Sequence, residues 1–139
     1  MHITLIPPWY EKNIDLIKNK LKSLEGSFLN FKIQFNLVEY GPNKFNPRLI
    51  WLVGNTPKEL LNLRLKFLEV LNQKPENREF KTHLTLARFN PDLKFNLPEI
   101  KKNIFWEENI KEFILIESRL LKTGAEYDVL EKIKLQKND

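Results

Sequence analysis

The sequence predicts an α+β fold, and three observations predict it. Two stretches carry apolar residues at helical spacing, and several shorter ones alternate apolar with polar residues as half-buried strands do. Two of those strands, near the C-terminus, are separated only by a short turn containing glycine, which marks a hairpin. No low-complexity run or linker divides the chain, so residues 1–139 read as one domain.

The elements follow in order. "HITLI", residues 2–6, alternates with His2, Thr4 and Ile6 on one side and Ile3 and Leu5 on the other, and Pro7 and Pro8 end this strand. Ile14, Ile17, Leu21 and Leu24 then predict an amphipathic helix over 12–25, closed by Gly26, a residue suited to the left-handed turn after a helix. "FKIQFNLVEY" alternates over Phe31, Ile33, Phe35 and Leu37 as a strand with one buried face. The turn-rich "GPNKFNP" leads into a short apolar strand, "LIWLV", in which Trp51 is a core residue.

A second helix announces itself with Thr56 as cap, Pro57 in the first helical position and Glu59 completing a capping box. Its buried stripe is Leu60, Leu63, Phe67, Leu68 and Leu71. "NQKPENREF" is a polar loop, "THLTLARF" a strand, and "NPDLKFNLPEIKKN" irregular with one turn of helix. "EFILIESRLL" and "EYDVLEKIKL" are strands joined through "KTGA".

Composition narrows the function classes. The chain has no Cys, which excludes a disulfide scaffold, a thiolate zinc site and a cysteine nucleophile and suits a reducing compartment. No apolar run approaches the roughly 20 residues that span a bilayer, and the N-terminus lacks the pattern of a secretory signal. The expectation is a cytoplasmic protein with no membrane partner. A net charge of +5 tilts towards an anionic partner such as RNA or a nucleotide, although scattered lysines, as in "EKNIDLIKNKLK", also describe a solvated helix face.

The chain has two histidines, in "MHITL" and "EFKTHLTLAR", and each is followed by an apolar residue, a threonine and a leucine. In a strand, residues i and i+2 share a side, so His2 shares a face with Thr4 and His83 with Thr85, while Ile3, Leu5, Leu84 and Leu86 turn to the core. Two imidazoles that titrate near neutral pH and two hydroxyl donors suit phosphodiester cleavage: one imidazole takes a proton from water, the other gives one to the leaving oxygen. Either histidine alone is more often a structural residue. The shared offset of a scarce residue, threonine, is what pairs them. A zinc site would need further Asp or Glu ligands, and no such spacing is present. Tyr10, Phe45, Phe80 and Tyr127 are candidates to stack on a nucleobase.

The paired motifs "HITL" and "HLTLAR" resemble those of the 2H phosphoesterase superfamily, and within it the RNA 2′,3′-cyclic phosphodiesterases, also called the 2′-5′ RNA ligase family. The likeness runs from His2 to Leu135 and includes "FNPRLIWLVG" and the ending "FILIESRLLKTGAEYDVLEKIKL". It implies a bilobal, duplicated α+β fold with antiparallel sheets around a central cleft. It also implies hydrolysis of 2′,3′-cyclic phosphates to 2′-phosphates without metal or other cofactor, with 2′-5′ ligation as the reverse direction.

RNA with cyclic phosphate ends, or small cyclic nucleotides, would be the partner. By position in the motifs, His2 and Thr4 form the first pair and His83 and Thr85 the second. The resemblance favours His2 as the acid and His83 as the base, with Arg88 on the phosphate. In a regular strand Arg88 points away from His83, so a bulge or the turn at "FNP" has to swing it back. Two rival readings are a non-catalytic nucleotide- or RNA-binding domain and a phosphodiesterase for another cyclic phosphate, such as one derived from ADP-ribose. Family members carry a strand and a helix before the first motif, and these are missing here. His2 is then expected beside the α-amino group, which disfavours a protonated imidazole, and an uncovered sheet edge or apolar face is one that a homodimer would hide.

Overall fold

A computed structural model describes residues 1–90, 97–100 and 102–138. Its elements are helices α1 (Ile14–Lys22) and α2 (Lys58–Val70) and strands β1 (Phe31–Gly41), β2 (Leu49–Gly54), β3 (His83–Arg88), β4 (Lys102–Ile110), β5 (Glu112–Leu121) and β6 (Gly124–Lys134). One four-stranded sheet has the order β3-β2-β1-β4, and β5 and β6 form a separate pair. Both β1–β2 and β2–β3 are antiparallel, as is the β5–β6 hairpin, which closes at Leu121 and Gly124. The fold is α+β, as the sequence predicts.

Two compact units divide the chain. The first draws on Met1–Leu5, Ile33–Pro57 and the described residues of Glu76–Glu108; the second draws on Ile6–Lys32, Lys58–Pro75 and the described residues from Asn109 onward. In the second unit, the Asn13 side chain accepts the Leu16 N–H at 3.0 Å, so α1 begins at Ile14 and not at residue 12, and it ends at Lys22 with Ser23 as its cap, short of the expected residue 25. Gly26 takes φ 73° and its N–H donates to the Lys134 carbonyl, a left-handed turn that a β-carbon would strain. All five expected stripe residues of α2 are buried, from Leu63 at 1% to Leu71 at 6%. Each such side chain contributes about 1.5–3 kcal/mol of burial. Phe67 meets Phe113 of β5 with ring centroids 4.3 Å apart.

Four expectations change. Residues 2–6 are not a strand. The alternation there survives as a burial pattern, with His2 and Thr4 exposed and Ile3 and Leu5 half-buried, but Pro7 and Pro8 supply no N–H and no ladder forms. Second, α2 starts at Lys58, and the Thr56 hydroxyl expected to cap it lies 2.9 Å from the hydroxyl of Thr82, which is fully buried.

Third, Leu37 does not continue the face of Phe31, Ile33 and Phe35. The β1–β2 register shifts by one residue at Asn36, since Phe35 pairs with Gly54 and Leu37 with Val53, and Leu37 therefore packs on the opposite face against Leu49, Trp51 and Val53. Fourth, β4 occupies "KNIFWEENI", of which Lys102 and Asn103 end the stretch expected to be irregular and residues 104–110 carry no expected element. Its polar residues give no clean alternation, and pairing to β1 is what makes it a strand. Of the helical turn expected before it, residues 91–96 and 101 lie outside the described residues, and 97–100 carry no regular element.

Candidate active site

Cross-strand partners in an antiparallel sheet point to the same side. Val53 pairs with His83 and Trp51 with Thr85, so the imidazole and the hydroxyl stand on the face that carries Leu49, Trp51 and Val53. Farther along, Ile50 pairs with Ala87 and Leu49 with Arg88, which leaves Leu86 as an extra residue between Thr85 and Ala87. That bulge reverses the parity of the strand end. Arg88 therefore shares the face of His83 and Thr85, the displacement that a regular strand could not supply. It also corrects the expectation for Leu86, which is 45% exposed, whereas Leu84 is buried as expected.

β1 adds to the same face. Glu39 pairs with Trp51, and Gly41 pairs with Leu49. The indole of Trp51 lies directly against Gly41, where a β-carbon would come within 2.3 Å of Trp51 Cε2. His83 rests on that indole with ring centroids 4.8 Å apart, and Lys81 Nζ stands 4.8 Å from the centroid of the Trp51 ring. Lys81 also pairs with the Glu39 carboxylate at 2.8 Å. Burial pushes the Glu39 carboxyl up, but the hydrogen bond and charge of Lys81, with smaller help from Trp51 and Lys44, hold it below its ordinary value.

The proton on His83 is placed by one contact. Nδ1 lies 2.8 Å from the backbone carbonyl of Lys81, and a carbonyl can only accept, so Nδ1 carries the hydrogen. In the neutral ring Nε2 then holds the lone pair. His83 and Thr85 are half-buried, and Arg88 is exposed.

His2 and Thr4 lie in the Met1–Leu5 segment, which belongs to the same unit as β3. Both are exposed, but part of His2 is shielded from water. That desolvation is the first cause that holds its imidazole below the usual histidine value; the α-amino charge of Met1 and the Arg88 guanidinium add to it. Arg88, at the end of β3, is the smallest of these three influences on His2. The five residues singled out from the sequence thus fall in one unit, three of them on one sheet face.

Sequence reasoning missed Glu39, Lys81 and Gly41 as neighbours of His83, and it read Trp51 only as core. Trp51 is buried at 7%, and it is also the surface on which His83 rests. Lys81 precedes His83 by two residues, and that spacing was the available signal. Of the stacking candidates, Phe45 is 97% exposed and belongs to the unit of the histidines, Phe80 is half-buried in that unit, and Tyr10 and Tyr127 belong to the other. Among the described residues no cluster of three or more His, Asp or Glu could hold a metal ion, and no helix is long and apolar enough to cross a membrane.

Residues 1–119 match the model of the 2′-5′ RNA ligase superfamily. An RNA 2′,3′-cyclic phosphodiesterase of Archaeoglobus fulgidus is 30% identical over 134 residues, which cover 91% of this chain and 75% of that protein. Among solved structures, a Thermus thermophilus protein aligns with TM-score 0.74 and 23% identity over 99% of this chain and 79% of its own. Escherichia coli LigT, crystallised with 3′-AMP, aligns with TM-score 0.68 and 20% identity over 96% and 76%. Those two likenesses bear on the fold.

Proposed function

The chain belongs to the 2′-5′ RNA ligase superfamily, and from that premise we propose that it hydrolyses 2′,3′-cyclic phosphates at RNA ends or on small nucleotides to 2′-phosphates. The observation that carries the proposal is the shared face of His83, Thr85 and Arg88, in the same unit as the His2–Thr4 segment. Similarity to an RNA 2′,3′-cyclic phosphodiesterase supports RNA as the substrate class.

In this reading Nε2 of His83 is the general base. A water aligned on the phosphorus loses its proton to Nε2 as its oxygen forms the new P–O bond. The P–O3′ bond breaks, and the 3′ oxygen leaves with a proton from the His2 imidazolium. Thr4 and Thr85 donate hydrogen bonds to the non-bridging phosphoryl oxygens, and Arg88 offsets the charge that builds on them. With a 5′-hydroxyl in place of water, the same groups make a 2′-5′ phosphodiester. The reaction serves RNA processing in the cytoplasm.

The experiment is hydrolysis of a nucleoside 2′,3′-cyclic phosphate in EDTA, with the product followed by phosphorus NMR. The expected product is the 2′-phosphate alone. A 3′-phosphate, or no turnover with binding retained, would sink the proposal.

A further inference from the structure

We infer that Lys81 is a positioning residue for His83: its ammonium, held by the Glu39 carboxylate and lying over the Trp51 indole, fixes the backbone carbonyl that fixes the imidazole. The inference rests on the reading of His83 as the base.

Its ground is the way the chain enters β3. The β2–β3 ladder begins at the pair Val53–His83, so the peptide that presents the Lys81 carbonyl lies before the first paired residue. Thr82 is anchored, with its carbonyl accepting the Gly54 N–H at 3.0 Å and its buried hydroxyl against Thr56. Lys81 has no place in that ladder. Its side chain is 48% exposed, a position where lysine ordinarily samples many rotamers, yet it is tied at 2.8 Å to Glu39, whose side chain is only 13% exposed. The second contact, with the Trp51 ring, uses a surface for which Gly41 of β1, lacking a β-carbon, leaves room. Three strands therefore converge on the residue whose carbonyl selects the His83 tautomer.

The test reads the tautomer directly. In nitrogen-15 labelled protein without substrate, at a pH where the ring is neutral, His83 is expected to show Nδ1 protonated and Nε2 bare. Lys81→Met is expected to give mixed tautomers and a kcat about tenfold lower, with KM within about twofold; Lys81→Arg restores both. Glu39→Gln follows Lys81→Met in kind. A folded Lys81→Met protein that keeps the single tautomer overturns the inference, and if that variant does not fold, an unchanged tautomer in Glu39→Gln overturns it equally. No substrate is present in the tautomer measurement, so a protein inert towards cyclic phosphates would refute the proposed function and leave this inference to stand or fall on the spectra.

Discussion

Arg88 stands opposite Leu49 on the face of the sheet that His83 and Thr85 occupy, because the β2–β3 register gains one residue at Leu86. The bulge acts as a spacer in this arrangement. Deleting Leu86 makes the alternation regular and leaves Arg88 paired with Leu49, so kcat/KM is expected to stay within about tenfold of the parent. Arg88→Ala removes a charge-assisted hydrogen bond worth about 1.5–3 kcal/mol and is expected to lower kcat/KM about 10–100-fold. Steady-state kinetics of the two folded variants checks this; a deletion as damaging as Arg88→Ala would show that the bulge does more than set parity.

His2→Ala and His83→Ala are each expected to lower kcat by about 10²–10⁴-fold, the range for one general acid or base. KM should change much less. Full activity in either variant would end the two-histidine mechanism.

The His2 imidazole is lowered by burial first, and then by the positive charges of the Met1 α-amino group and Arg88. A positive neighbour disfavours the charged ring, so removing one must raise the pKa. Acetylating the Met1 α-amino group is expected to move the His2 titration to higher pH, followed by NMR, and to shift the alkaline limb of the kcat profile the same way, because the acid stays protonated longer. Burial still acts, so the value should remain below that of an open histidine. A downward shift would contradict this electrostatic account.

Thr82 is fully buried, and its hydroxyl pairs with that of Thr56 at 2.9 Å. Thr82→Val leaves the Thr56 hydroxyl unpartnered at this contact and is expected to destabilise the protein by about 1–3 kcal/mol in urea unfolding. The double variant with Thr56→Val should cost less than the sum of the two single ones, since both polar partners then leave together.

Gly41→Ala would place a β-carbon 2.3 Å from Trp51 Cε2. Overpacking of this kind costs about 1–3 kcal/mol. Thermal unfolding measures the loss, and tryptophan fluorescence should report the displaced indole. An unchanged midpoint would mean that the ring has room to move.

Much of this molecule is legible one residue at a time. The apolar stripe of α2 is written at helical spacing and is buried at every expected position, because a helix displays its own periodicity without reference to a partner. The left-handed turn at Gly26 and the β5–β6 hairpin are local in the same sense, although α1 itself stops at Lys22. The pairing of His83 with Thr85 also follows from the two-residue repeat of a single strand.

What that repeat could not state is where it breaks. The bulges at Asn36 and Leu86 reverse parity within β1 and β3, carrying Leu37 and Arg88 to faces their spacing denies them, and β4 is a strand although its own residues scarcely alternate. The α+β class, the two helices and the shared face of His83 and Thr85 are thus written in residue spacing alone, whereas the strand expected at residues 2–6 does not form. Pairing between distant strands brings Arg88 to the face of His83 and gathers Glu39, Lys81 and Trp51 round it. The physical reason is that a strand's register is set by hydrogen bonds to residues far away in the chain, and a slip of one residue turns every side chain beyond it to the opposite face.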